Sequence, residues 1–125
     1  MKIMRSILAL EAAAFFAAAL THFGVLTDGY RHRQAANAES VIGCVLLVAW
    51  IITLVRPSLA TRSAVLAQSF AVFGTLVGIF TIVVGVGPRT VPDIVYHASI
   101  LMLLISGLGF SIYLRKSERE SRKQG

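Results

Sequence analysis

Apolar residues in this chain come in four long runs separated by short polar breaks. The runs cover about residues 6–26, 36–55, 63–86 and 92–114. Each holds about 20 residues or more, enough to cross a hydrocarbon core of about 30 Å at about 1.5 Å per helical residue. The breaks carry helix punctuation. Thr27-Asp28-Gly29-Tyr30-Arg31-His32-Arg33 parts the first run from the second, and Arg56-Pro57-Ser58 stops the second, because proline cannot continue a helical ladder. Gly85-Val86-Gly87-Pro88-Arg89-Thr90 ends the third. Thr90-Val91-Pro92-Asp93 reads as a helix start, with Thr90 as N-cap, Pro92 in the first turn and Asp93 reaching back in a capping box. Short connections make sequential helices antiparallel neighbours. The pattern therefore predicts an all-α protein: an integral membrane four-helix antiparallel bundle over 1–114, with a basic tail over 115–125 expected to be mobile.

Ionisable groups inside such runs are costly, about 2.5–3.5 kcal/mol near mid-bilayer, so each calls for a partner or a purpose. Glu11 and His22 stand eleven residues apart in the first run, about three turns, and share a face with Phe15 and Ala18. Glu39 opens the second run, Gln68 lies low in the third, and Asp93, Tyr96 and His97 open the fourth. Counted inward from the helix ends, His22, Glu39 and His97 lie roughly 4–8 Å from one boundary, with Arg89, Asp93 and Tyr96 at or just above that level. Glu11 and Gln68 match in depth in the other half. Two polar layers follow.

The first layer is a candidate ligand-binding set: His22, Glu39, Arg89, Asp93, Tyr96 and His97. It admits several chemistries. Two histidines and a carboxylate are a metal-ligand set. His22 and His97 on facing helices suit a haem, without an attachment motif. Tyr96 and His97 suit a quinone or small polar ligand as donors. In the plainest alternative, Asp93 caps its helix, Arg89 pairs with Glu39 at the interface, and the histidines bond neighbouring helices. In the second layer Glu11 is a candidate proton-coupling carboxylate with Gln68 beside it, or the two simply join their helices. Gly74 and Gly78 form a GxxxG spacing that lets backbones approach, within the chain rather than between copies.

Composition sharpens this picture. The hydrophobic fraction is 56% and the mean hydropathy +0.76, more apolar surface than a soluble domain of this size can bury. The net charge of +6 raises nucleic acid as a partner, but the bases sit at chain ends and in gaps, and no nucleic-acid motif appears. Nine bases (Lys2, Arg5, Arg56, Arg62, Arg115, Lys116, Arg119, Arg122, Lys123) fall on the side of the termini, and three (Arg31, Arg33, Arg89) on the other. That bias puts both termini in the cytoplasm of a bacterial inner membrane and the first polar layer near the outer face. The tail's bases are expected to be drawn to anionic headgroups. Lys2, Arg5 and Ala17-Ala18-Ala19 also fit a signal peptide, but Glu11 and an apolar run continuing to Leu26 favour an uncleaved span. Cys44 is the single cysteine, so no internal disulfide forms. No phosphate loop, nucleophile elbow or zinc-peptidase motif is present, so no enzyme is signalled.

The stretch Gly78-Ile79-Phe80-Thr81 through Gly87-Pro88-Arg89-Thr90-Val91-Pro92-Asp93-Ile94-Val95-Tyr96-His97 resembles small four-helix bacterial inner-membrane proteins, DoxX-like ones included. That resemblance implies the class and no activity. Glu11 and the four-run layout also resemble small multidrug resistance transporters, but the residues around Glu11 and the charge bias depart from that family. The chain is thus expected to be a non-enzymatic component that binds a small ligand, lipid or partner at its outer end. A redox role through His22 and His97, or proton-coupled transport through Glu11, in a homo-oligomer, stands as the alternative.

Overall fold

The computed structural model describes residues 1–87 and 89–124. Four helices account for most of the chain: α1 Lys2–His22, α2 Arg33–Val55, α3 Ala60–Val83 and α4 Val91–Gln124, with a 3-10 turn at Pro57–Leu59 before α3. No strand occurs among the described residues. All four helices are long and apolar enough to cross a membrane.

The ends of the helices follow from local chemistry. α1 stops at His22 although apolar residues continue to Leu26, because Gly24 turns to φ +76° and the Val25 N–H reaches back to the Leu20 carbonyl at 2.9 Å. That six-residue closure with glycine in the left-handed region satisfies otherwise orphaned carbonyls. α3 ends the same way, three residues before its apolar run does: Gly85 sits at φ +79° and the Val86 N–H bonds the Thr81 carbonyl at 2.9 Å. At the start of α4 the Thr90 N–H donates to Asp93 Oδ2 (3.0 Å) and the Asp93 N–H to Thr90 Oγ1 (3.4 Å), the reciprocal bonds of a capping box. At its other end α4 does not stop where its apolar run does. It continues as helix to Gln124, with Thr61 Oγ1 on α3 donating to Glu118 at 2.8 Å, so the basic tail is a helical extension of α4.

Consecutive helices pack side by side, and α4 also meets α1 along a shorter seam. Small residues permit the approach. Ala60, Ala64, Ala67 and Ala71 line the buried face of α3, and Gly107 on α4 lies against Glu11 and Gln68. Gly74 faces Ile42 of α2 and Gly78 faces His97 of α4, so the GxxxG spacing is used inside the chain. The core holds Met4, Leu8, Leu46 and Leu104, but also Glu11, His22, Glu39, Gln68, Asp93 and Ser111. Outward faces carry Phe73, Phe80 and Met102, each more than 60% exposed. Polar groups inside and large apolar groups outside is the reverse of a water-soluble distribution.

Candidate functional site

At one end of the molecule three helix termini meet in a buried polar cluster. His22 is the last residue of α1, Glu39 lies in the second turn of α2 and Asp93 in the first turn of α4. His22 Nδ1 is 2.7 Å from Glu39 Oε2, and its Nε2 is 3.4 Å from Asp93 Oδ1. All three side chains are at least 93% buried. Both ring nitrogens face carboxyl oxygens.

The loop between α1 and α2 closes over this cluster. The His32 N–H bonds the His22 carbonyl at 2.9 Å, and His32 Nδ1 caps α2 by accepting from the Ala35 N–H at 3.2 Å. The Tyr30 ring stacks on His22 with centroids 5.8 Å apart, and His32 meets the same ring edge-on at 6.5 Å. Tyr30 donates to Asp93 Oδ2 at 2.7 Å, with its hydroxyl lying against that of Thr90. Thr90 Oγ1 gives that oxygen another bond at 2.6 Å. Burial raises the Tyr30 phenol above its ordinary range, and the charge of Asp93 raises it further, so Tyr30 stays a donor through neutral pH.

Two hollows adjoin the cluster. A cavity of about 160 Å³ lies between α2, α3 and α4; Phe15, Ile42, Ile82 and Ile100 give it apolar walls, and Glu39, Tyr96 and His97 line it as well. Glu39 Oε1 and the Tyr96 hydroxyl are buried without a hydrogen-bond partner. His97 Nδ1 donates to the Asp93 carbonyl at 2.8 Å, and its Nε2 lies beside Gly78, where an added Cβ would stand 3.0 Å away. The second hollow, along the α1–α4 seam, is floored by Ala14, Ala17 and Ala18 and edged by His22, Tyr30 and Asp93. Tyr96 borders both hollows.

The other polar layer lies deeper along the helices. Gln68 Nε2 donates to both Glu11 oxygens, at 3.1 and 3.0 Å. Gly107 leaves them room: a Cβ there would collide with Glu11 Oε1 and stand 2.6 Å from Gln68 Nε2. Arg5 donates to the Thr53 carbonyl at 2.6 Å.

Of the residues singled out in sequence, His22, Glu39 and Asp93 come together, with Tyr96 and His97 beside the adjacent cavity. Arg89 does not join them. It is exposed and donates to the Val83 carbonyl at 3.2 Å, while Glu39 bonds His22, so the expected Arg89–Glu39 pair is absent. His22 and His97 border different hollows, and both His22 nitrogens are engaged by carboxylates, which is not the disposition of an axial pair on one haem. Among the described residues no group of three His, Cys, Asp or Glu is placed to hold a metal ion. Tyr30 and Gly107 were not singled out. An aromatic residue stranded in a short polar loop was the one available signal for Tyr30; nothing marked Gly107 among the other glycines. Comparison of the chain with protein-family models, with curated proteins and with solved structures finds no match.

Proposed function

We propose that this chain is a four-span integral membrane protein of a bacterial inner membrane that binds a small lipid-soluble ligand in the cavity between α2, α3 and α4. Glu39, Tyr96 and His97 contact the ligand, and His22 and Asp93 hold Glu39 and the helix ends in place. The observation that carries this is the pair of buried, unpartnered polar atoms, Glu39 Oε1 and Tyr96 Oη, on residues lining one largely apolar cavity. A buried polar atom left without a partner costs about 1–3 kcal/mol. A ligand with a polar head and an apolar body removes both costs. The antiparallel arrangement is supported by contacts joining opposite ends of successive helices: Arg5 to Thr53, His22 to Glu39 and Thr61 to Glu118. The charge bias supports cytoplasmic termini.

The cavity is close in size to engineered apolar cavities of about 150 Å³ that take up benzene. Benzene titrated into detergent-solubilised protein with ¹³C-methyl isoleucine is expected to give saturable shifts at Ile42, Ile82 and Ile100. Ala38→Trp, at the cavity wall, should abolish them. Absence of saturable shifts in the unmodified protein would overturn the proposal.

A second reading, proton-coupled transport, draws on the fully buried Glu11 with its single amide partner. Proton flux in proteoliposomes under an imposed pH gradient tests it; equal flux from Glu11→Gln would remove it.

A further inference from the structure

We infer that the head group this cavity recognises is a hydroxyl on a single aromatic ring, so that the ligand class is a lipid-soluble phenol or quinol. This rests on the ligand-binding proposal above and narrows it.

The inference follows from the hydrogen-bonding inventory of the wall. Glu39 has its Oε2 2.7 Å from His22 Nδ1, and its Oε1, on a residue only 5% exposed, is an open acceptor. His97 commits Nδ1–H to the Asp93 carbonyl, which leaves Nε2 as an acceptor in the neutral ring. The Tyr96 hydroxyl, buried and unpartnered, can give one bond and receive others. These three side chains therefore offer two acceptors and one group of either kind; of the other polar residues in the wall, Thr75 and Thr81 give their hydroxyl hydrogens to the Ala71 and Gly78 carbonyls, His32 Nδ1 accepts from the Ala35 N–H, and Gln34 is exposed. A ketone or ether oxygen accepts only, so it serves Tyr96 and leaves Glu39 Oε1 unmatched. An ammonium donates only, and it brings a charge into an apolar cavity. A hydroxyl donates to the carboxylate and accepts from the phenol through one oxygen. The space behind it, walled by Ile42, Ile82, Ile100 and Phe15, is of single-ring size.

The site thus discriminates a reduced, hydroxyl-bearing ring from its methyl ether or its oxidised carbonyl form. The test compares phenol, anisole and benzene on the isoleucine-labelled protein, with the exposed Ile51 and Ile105 methyls reporting partition into detergent. Phenol is expected to bind about tenfold more tightly than anisole, the increment of one added hydrogen bond. Tyr96→Phe removes the bond that both ligands accept, so it should weaken phenol and anisole alike by a few-fold and leave the preference, which Glu39 sets, in place. Equal binding of phenol and anisole, with benzene still shifting Ile42 and Ile100, would overturn the head-group inference and leave the cavity proposal standing. No saturable shift with any of the three would overturn both. The comparison in the unmodified protein decides the matter even if the variant does not fold.

Discussion

His22 ties three helix ends through one imidazole. Its replacement by alanine leaves Glu39 and Asp93 buried without the group between them. A buried polar group left without its partner costs about 1–3 kcal/mol, and two are left here, so His22→Ala should melt far below the parent protein in detergent, as followed by circular dichroism. Tyr30 acts from outside the helices, by its bond to Asp93 and its stacking on His22. Tyr30→Phe keeps the stacking and loses the bond, for an expected cost of about 1 kcal/mol in the same melt. The two roles are not equally legible in the sequence. Helix depth can be counted along a chain, and the count alone puts His22, Glu39 and Asp93 near one level. Tyr30 sits in a loop, where direction depends on how the chain folds back, and no count of residues supplies that. Arg89 shows the opposite error: its level is right, but a residue in a connection need not point inward, and this one does not.

Among the elements, the four helices follow from the four apolar runs, and their differences in length have specific causes. Hydropathy alone counts past Gly24 and Gly85, because it is blind to a left-handed residue. The helical extension of α4 is missed for the reverse reason. Mixed charges look like a solvated tail, yet Thr61 on α3 offers Glu118 a partner. Glu118→Ala should free this extension, seen as faster amide hydrogen exchange from Arg119 to Lys123 with little change in exchange of the core helices. Close approach at Gly107 is likewise a property of paired elements. Gly107→Ala would push a methyl group into Glu11 and Gln68 and force α4 away from α1 and α3. A cost of about 1–3 kcal/mol is expected, with a lower melting temperature and loss of the Glu11–Gln68 contact.

For the molecule as a whole, the distribution of polarity matters more than any one bond. Large apolar side chains face outward, and the interior is organised by polar pairs and small residues. Such a chain should remain in the membrane fraction after an alkaline wash. Reporter fusions at either end should be active only as cytoplasmic reporters, and an active periplasmic reporter at the basic end would reverse the proposed side of the cavity. The length of α4 has a consequence for this arrangement. Its 34 residues make a rod of about 51 Å, against a hydrocarbon slab of about 30 Å. With Val91 near the far edge and the helix along the bilayer normal, Lys123 would stand about 18 Å beyond the acyl chains and roughly 10–13 Å beyond the headgroup layer, a little more than one Debye length of about 8 Å. A floppy strand would drape its positive charges over the lipid phosphates. A mast would leave Arg115 and Lys116 at headgroup level and lift Arg122 and Lys123 into the solvent, weakening the surface's hold on these last two.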